Sequence, residues 1–220
     1  MAGLITGLEP ETVRAATARV REEIAEAARH AGRDPGEVEL LAAVKYIPCE
    51  ELGVLAEAGL TLLGENRAQE LEAKATAHPT FRWHFIGQLQ SRKVKQILPY
   101  AELIHSVASD SALRQLERHG TPETEVLVEV NVAGEDGKAG IAPAELGAFL
   151  ERAPVRVGGL MTMPPFSERA EDSRRHFAAL RELAAEHGLP RLSMGTSQDF
   201  AVAVEEGATI VRVGSRLYGA

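Results

Sequence analysis

Val38-Glu39-Leu40-Leu41-Ala42-Ala43-Val44-Lys45 reads as an apolar strand carrying its basic residue at the tip, and Pro48 closes the stretch three residues later. A near-continuous apolar run is what a strand covered on both faces of a parallel sheet requires. A lysine at such a tip holds its amine in the mouth of the fold instead of in bulk water. An amine placed there can have a lowered pKa and attack a carbonyl to form a Schiff base. Most lysines are plain surface charges, and it is the apolar run ahead of Lys45 that sets this one apart.

Outward from this strand the pattern alternates. Val13, Ala16, Val20, Ile24 and Ala27 recur at helical spacing, which predicts a helix over 11–32 with Gly32 as its stop. Strands are expected at about 38–45, 62–63, 83–86, 103–107, 126–131, 155–161, 192–194 and 209–213. Helices are expected near 50–58, 66–76, 91–98, 109–118, 143–151, 167–187 and 200–206. Eight strands, each followed by a helix or a short turn, predict an α/β fold with a parallel sheet closed into a (β/α)8 barrel, as a single domain over 1–220. A doubly wound open sheet is the alternative, because the second and seventh strands are short. In a barrel the chemistry lies at the C-terminal ends of the strands. Lys45, Gly64, Gly87, Asn131, Met161, Gly195 and Gly214 fall at those ends or one residue beyond.

The totals fit this picture. The 220 residues are 45% hydrophobic and 25% charged, enough for one substantial core. The formal net charge of −8 argues against a general nucleic-acid footprint, although a phosphorylated small molecule depends on local donors alone. Cys49 is the single cysteine, which excludes an intrachain disulfide and suits a reducing compartment. The first residues lack the features of a signal peptide and no apolar run is long enough to span a bilayer, so a cytoplasmic, membrane-free protein is expected.

Two strand ends near the C-terminus have the composition of a phosphate site. Ser193-Met194-Gly195-Thr196-Ser197-Gln198-Asp199 ends a strand and opens a helix, which Thr196 or Ser197 can cap, and Asp199 is expected to cap or to point outward. Val213-Gly214-Ser215-Arg216 repeats the glycine-then-hydroxyl step after the next strand. In a barrel the loops after strands seven and eight are a phosphate position, and two ordinary turns are the plain alternative. Arg212 lies between Val211 and Val213, so alternation turns it to the opposite face from both, into the barrel. There it suits a pyridine nitrogen, to which a permanently protonated guanidinium can only donate. The alternative is an interior salt bridge to Glu129 or Glu65. His84 and His105 sit in strands and fit satisfied core histidines. Lys138, in a glycine-rich loop, is a flexible amine above the mouth, whereas Arg92, Lys93 and Lys95 read as helix surface. HExxH, CxxC, GxSxG and the P-loop are all missing from the sequence, so no metal site is expected.

Six segments carry a family likeness: Leu41–Lys45, Gly64–Glu70, Trp83–Gln90, Gly159–Met163, Leu192–Asp199 and Val211–Gly219. In order along the chain they resemble the YggS/PROSC family of pyridoxal 5'-phosphate (PLP) homeostasis proteins. The resemblance implies a barrel of the alanine racemase N-terminal type (PLP fold type III) that binds pyridoxal phosphate as an internal aldimine. Carried over, Lys45 is the Schiff-base lysine and Arg212 faces the pyridine nitrogen. Ser197, Gly214 and Ser215 hold the phosphate, Asn66, His84 and Met194 line the pocket, and Lys138 matches a loop lysine tied to cofactor handling or release. The resemblance further implies a carrier without established turnover, which stores the cofactor or passes it to PLP-dependent apoenzymes. A monomer is expected. Ile47 stands where the family often has a second lysine, Thr196 where methionine is common, and Arg92 where asparagine is.

Two alternatives stand beside this reading. One is an amino-acid racemase or another small enzyme using the same cofactor, although racemases that resemble this barrel add a second domain carrying an opposite-face base. The other is a barrel that binds a different phosphorylated metabolite without covalent chemistry.

Overall fold

The computed structural model describes residues 3–219. Eight strands alternate with helices: β1 (Glu39–Ala43), β2 (Leu62–Glu65), β3 (Arg82–Phe85), β4 (Leu103–Val107), β5 (Glu125–Glu129), β6 (Arg156–Met161), β7 (Arg191–Thr196) and β8 (Ile210–Val213). Each strand pairs in parallel with the next, and β1 also pairs with β8 at Leu41↔Arg212, so the sheet closes on itself. That last pairing rules out the open doubly wound sheet and gives the (β/α)8 barrel. The two short strands are longer than their apolar cores suggest. Gly64 and Glu65 extend β2, and Arg191, Gly195 and Thr196 extend β7, because ladder hydrogen bonds do not need apolar side chains.

The helices are α1 (Pro10–His30), α2 (Leu52–Glu57), α3 (Ala68–Ala77), α4 (Val94–Ile97), α5 (Asp110–His119), α6 (Leu146–Glu151), α7 (Arg174–Glu186), α8 (Phe200–Glu205) and α9 (Ser215–Tyr218). Helix α1 buries Val13, Ala16, Val20, Ile24 and Ala27 and packs on α2, α8 and α9. It stops at His30, and Gly32 two residues on takes a positive φ of 68°. The long helix expected from 167 begins only at Arg174. Ser167 instead donates to the Asp172 carboxylate at 2.6 Å, and the chain turns through a short 3₁₀ segment, Ala170–Ser173, before the apolar stripe Phe177, Leu180 and Ala184 starts.

Alternation along the strands separates two cores. Outward residues such as Val44, Leu63, Val126, Val128, Met194, Val211 and Val213 pack under the helices. Inward residues Leu41, Leu62, Leu103, Leu127, Met161 and Ile210 fill the lumen, so the barrel is packed and not a pore. Five polar side chains share that lumen, His84, His105, Glu129, Ser193 and Arg212, and each is at most 8% exposed.

Candidate active site at the C-terminal mouth of the barrel

A cavity of about 580 Å³ opens at the C-terminal ends of the strands. Lys45, Asn66, Ser197, Arg212, Gly214 and Ser215 all line it. These six come from four stretches of chain far apart in sequence. A smaller cavity of about 430 Å³ lies at the opposite end of the strands, among Arg21, Leu60 and Arg82. That is the face on which barrels carry stability instead of chemistry.

Lys45 sits two residues past the end of β1. Val44 is fully buried and faces the outer core, and the chain turns at Lys45-Tyr46, so the lysine comes to lie on the rim. Its side chain is exposed, with Nζ 5.1 Å from the centre of the Tyr46 ring. A dry amine, expected from the apolar run, is therefore not what the fold provides: the amine borders a polar cavity and also meets solvent. The backbone just before it is firmly held. The Val44 N–H donates to the Gly64 carbonyl at 2.9 Å, and the Val44 carbonyl accepts from Lys74 Nζ at 2.9 Å and from the Ile47 N–H at 3.0 Å. Lys74 also donates to the Glu65 carboxylate at 2.6 Å, and both side chains are almost fully buried. Glu65 in turn accepts from the Asn66 N–H at 2.6 Å. One buried ion pair thus ties together the residues preceding Lys45 and Asn66.

Asn66 is half-buried, and its Oδ1 has no hydrogen-bond partner among the described residues. Gly87 lets it sit close to the neighbouring strand end, since a Cβ at 87 would meet the Asn66 carbonyl oxygen at 2.1 Å. On the far side, Gly195 takes φ 90° and leaves no room for a Cβ beside Ala203. This turn brings Thr196 and Ser197 over the mouth. The expected helix cap by Thr196 or Ser197 does not form. Instead Asp199 accepts from the Thr196 N–H at 2.7 Å and hydroxyl at 3.1 Å, and Ser197 Oγ accepts from the Gly214 N–H at 3.0 Å. Asp199 is spent on its own turn, and the two loops are stitched together.

Arg212 enters from β8. Its guanidinium donates to Ser193 Oγ, to the Thr162 carbonyl at 2.9 Å and to Met163 Sδ at 2.9 Å. The salt bridge to Glu129 or Glu65 is not formed, because Glu65 faces α3 and pairs with Lys74, while Glu129 acts on Arg212 only as a nearby charge. Burial pushes the Arg212 pKa down to about 10, so it stays a cation at neutral pH. The same burial raises the pKa of Glu129.

Three expected pocket residues lie elsewhere. Met194 is fully buried in the outer core, since Ser193 points into the lumen and its neighbour must point out. His84 is fully buried below the cavity floor, donating or accepting at 3.0 Å with His105. Lys138 is exposed on the loop after β5, paired with Glu135, and does not line the cavity. Ala43, Tyr46, Ile86, Met163 and Tyr218 line it without having been singled out from sequence. Ala43, Ile86, Met163 and Tyr218 lie within the family-like segments but look like ordinary strand-end or helix residues, and Tyr46 lies one residue beyond such a segment. Among the described residues no group of three His, Cys, Asp or Glu stands close enough to hold a metal ion.

With this geometry in place the comparisons with known proteins are decisive. The family model described as "Alanine racemase, N-terminal domain" matches residues 16–220. The pyridoxal phosphate homeostasis protein of Aquifex aeolicus is 43% identical over 216 residues, covering 91% of this chain and 95% of its own. The chain belongs to that family. The Pseudomonas aeruginosa pyridoxal phosphate homeostasis protein is 41% identical, with 92% of this chain and 93% of that one covered. Among solved structures, PipY of Synechococcus elongatus with PLP bound superposes with a TM-score of 0.75 at 34% identity, covering 89% of this chain and 100% of that one.

Proposed function

We propose that this protein binds pyridoxal 5'-phosphate in the 580 Å³ cavity and holds it as a reserve instead of turning over a substrate. The observation that carries the proposal is the convergence of an amine, a buried cation and two hydroxyls on one cavity: Lys45, Arg212, Ser197 and Ser215. The donor set suits the group. Lys45 would take the aldehyde end, Arg212 would donate to the ring nitrogen, and the Ser197 and Ser215 hydroxyls would take the phosphate, with the Gly214 N–H holding Ser197 Oγ in place. The unpartnered Asn66 Oδ1 marks a polar position that the protein alone does not satisfy. Pyridoxal phosphate, when bound, supplies an aldehyde that reversibly captures primary amines. Its presence in PipY, a relative of the same fold that matches 89% of this chain, supports the same occupant here.

Holding is favoured over racemisation by what surrounds Lys45. Two-sided proton transfer needs a second positioned acid or base. Tyr218, which lines the cavity, donates its hydroxyl to the Ala43 carbonyl at 3.3 Å, and burial raises its pKa, so it is poorly suited to be a base. A single-domain monomer in the cytoplasm, delivering the cofactor to PLP-dependent apoenzymes, fits this role. Lys138, exposed on its loop and outside the cavity, would on this reading meet the cofactor only as it leaves.

The test is direct. The purified protein is incubated with pyridoxal phosphate, reduced with borohydride and mapped by peptide mass spectrometry. The label is expected on Lys45 and is expected to vanish in Lys45→Ala. A colourless protein, or label scattered over surface lysines, would sink the proposal.

A further inference from the structure

The lumen of this barrel holds a string of polar side chains that crosses from one wall to the other. Arg212 on β8 donates to Ser193 Oγ on β7, His105 Nδ1 on β4 lies 2.8 Å from the same oxygen, and His105 Nε2 lies 3.0 Å from His84 Nδ1 on β3. His84, His105 and Ser193 are each fully buried. Apart from Glu129, the rest of the lumen is filled by apolar side chains, so polar groups at these positions carry a desolvation cost that leucine or valine would avoid.

The direction of every bond in the string follows from its first member. A guanidinium has donors only, so Ser193 Oγ accepts from Arg212. The serine proton is then free for His105 Nδ1. A neutral His105 carries its proton on Nε2 and gives it to His84 Nδ1, which leaves the His84 proton on Nε2. In the reverse direction the serine hydroxyl and the His84 Nε2 lone pair would both be buried without partners. Either direction leaves His84 Nε2 without a partner among the described residues, and only the forward direction also gives the serine hydroxyl an acceptor, so it is the one with fewer buried polar groups unpaired. Burial holds both histidines in the neutral form, lowering His84 to about 3 and His105 well below its ordinary value. Three of the five guanidinium donors are spent on Ser193, Thr162 and Met163, and the remainder belong to a group that lines the cavity.

We infer that His105, backed by His84, is a positioning residue for Arg212: it directs the Ser193 lone pair at the guanidinium and so fixes how Arg212 meets the ring nitrogen of bound pyridoxal phosphate. The second half of this statement rests on the functional proposal above, and the first half does not. His105 touches nothing in the cavity and acts through Ser193 alone. It sets the electronic environment of the cofactor from beneath, without contact.

Two measurements test it. Long-range proton–nitrogen correlation spectra of the histidine-labelled protein at neutral pH, without added cofactor, are expected to show both His84 and His105 protonated on Nε2. His105 protonated on Nδ1 overturns the string. Absorbance titration with pyridoxal phosphate then compares His105→Leu with His105→Asn, whose Oδ1 replaces Nδ1 as an acceptor for Ser193. His105→Leu is expected to weaken retention about tenfold and to shift the cofactor band. His105→Asn is expected to restore the parent affinity and spectrum. Uptake by the parent with no difference in His105→Leu overturns the positioning role alone, whereas no uptake by the parent overturns the functional proposal and leaves the spectra to judge the string.

Discussion

Asn66 and Arg212 illustrate two ways in which one side chain can serve a cavity. Arg212 is a buried cation with no carboxylate within ion-pair distance among the described residues, balanced by three hydrogen bonds and by the charge of Glu129. Lysine in its place would keep the charge but could not span a serine, a carbonyl and a sulfur at once. Asn66 is the opposite case, since its Oδ1 contributes no hydrogen bond to the protein. Asn66→Ala is therefore expected to leave the thermal unfolding midpoint unchanged while weakening pyridoxal phosphate retention about 2- to 10-fold, the range of a single neutral hydrogen bond. Thermal melts and absorbance titration read the two effects separately. A large drop in melting temperature with retention intact would show that the amide is structural after all.

Between elements, the buried Lys74–Glu65 pair is the main polar link joining β1, β2 and α3 behind the mouth. Lys74 reaches from α3 to Glu65 at the end of β2 and to the Val44 carbonyl beyond β1, while Glu65 also receives the Asn66 and Arg67 N–H groups. Removing one member leaves the other charge stranded in the interior. Lys74→Met is expected to lower the unfolding free energy in urea by about 3 kcal/mol, more than any change of a surface charge. A loss below about 1 kcal/mol, the ceiling for exposed pairs, would mean that water reaches Glu65 and that the pair does not anchor the Lys45 turn.

The whole molecule carries a pH dependence set by its lumen. His84 and His105 resist protonation when folded, whereas in the unfolded chain each takes up a proton below its ordinary pKa of 6.5. The unfolded state thus binds more protons than the folded one, and stability present above pH 6.5 is lost as the pH falls toward 3. The expected slope is about 1.4 kcal/mol per pH unit for each histidine. Carboxylates such as Glu102, whose pKa the hydrogen bond from Arg82 lowers, add to the loss only near and below their ordinary 4.5. Glu129, raised by burial, offsets part of this loss as the pH falls, and His176, lowered by burial, adds to it, so urea unfolding of the parent is compared with His105→Asn between pH 6.5 and 5, where the variant is expected to give the flatter curve. A flat profile in the parent protein over that interval would show that the lumen is hydrated.

Period and punctuation alone located the strands, because a parallel strand between two cores must be apolar on both faces, as Leu40–Val44 and Val126–Val128 are. They also brought out Lys45, Gly214 and Arg212, since strand ends and interrupted alternation are visible in one dimension. Which residues share the cavity was settled only by closure of the barrel, which sets β8 against β1 and carries Ser197 and Asn66 to one mouth. Met194 and His84 show the limit of a linear pattern: a motif marks a residue as belonging to a site, but the twist of each strand decides whether its side chain faces lumen, cavity or helix. The same holds for the Ser193–His105 contact across 88 positions of sequence, which no local signal encodes. Chain order fixes what can pair along a strand; only the folded barrel fixes what meets across its lumen.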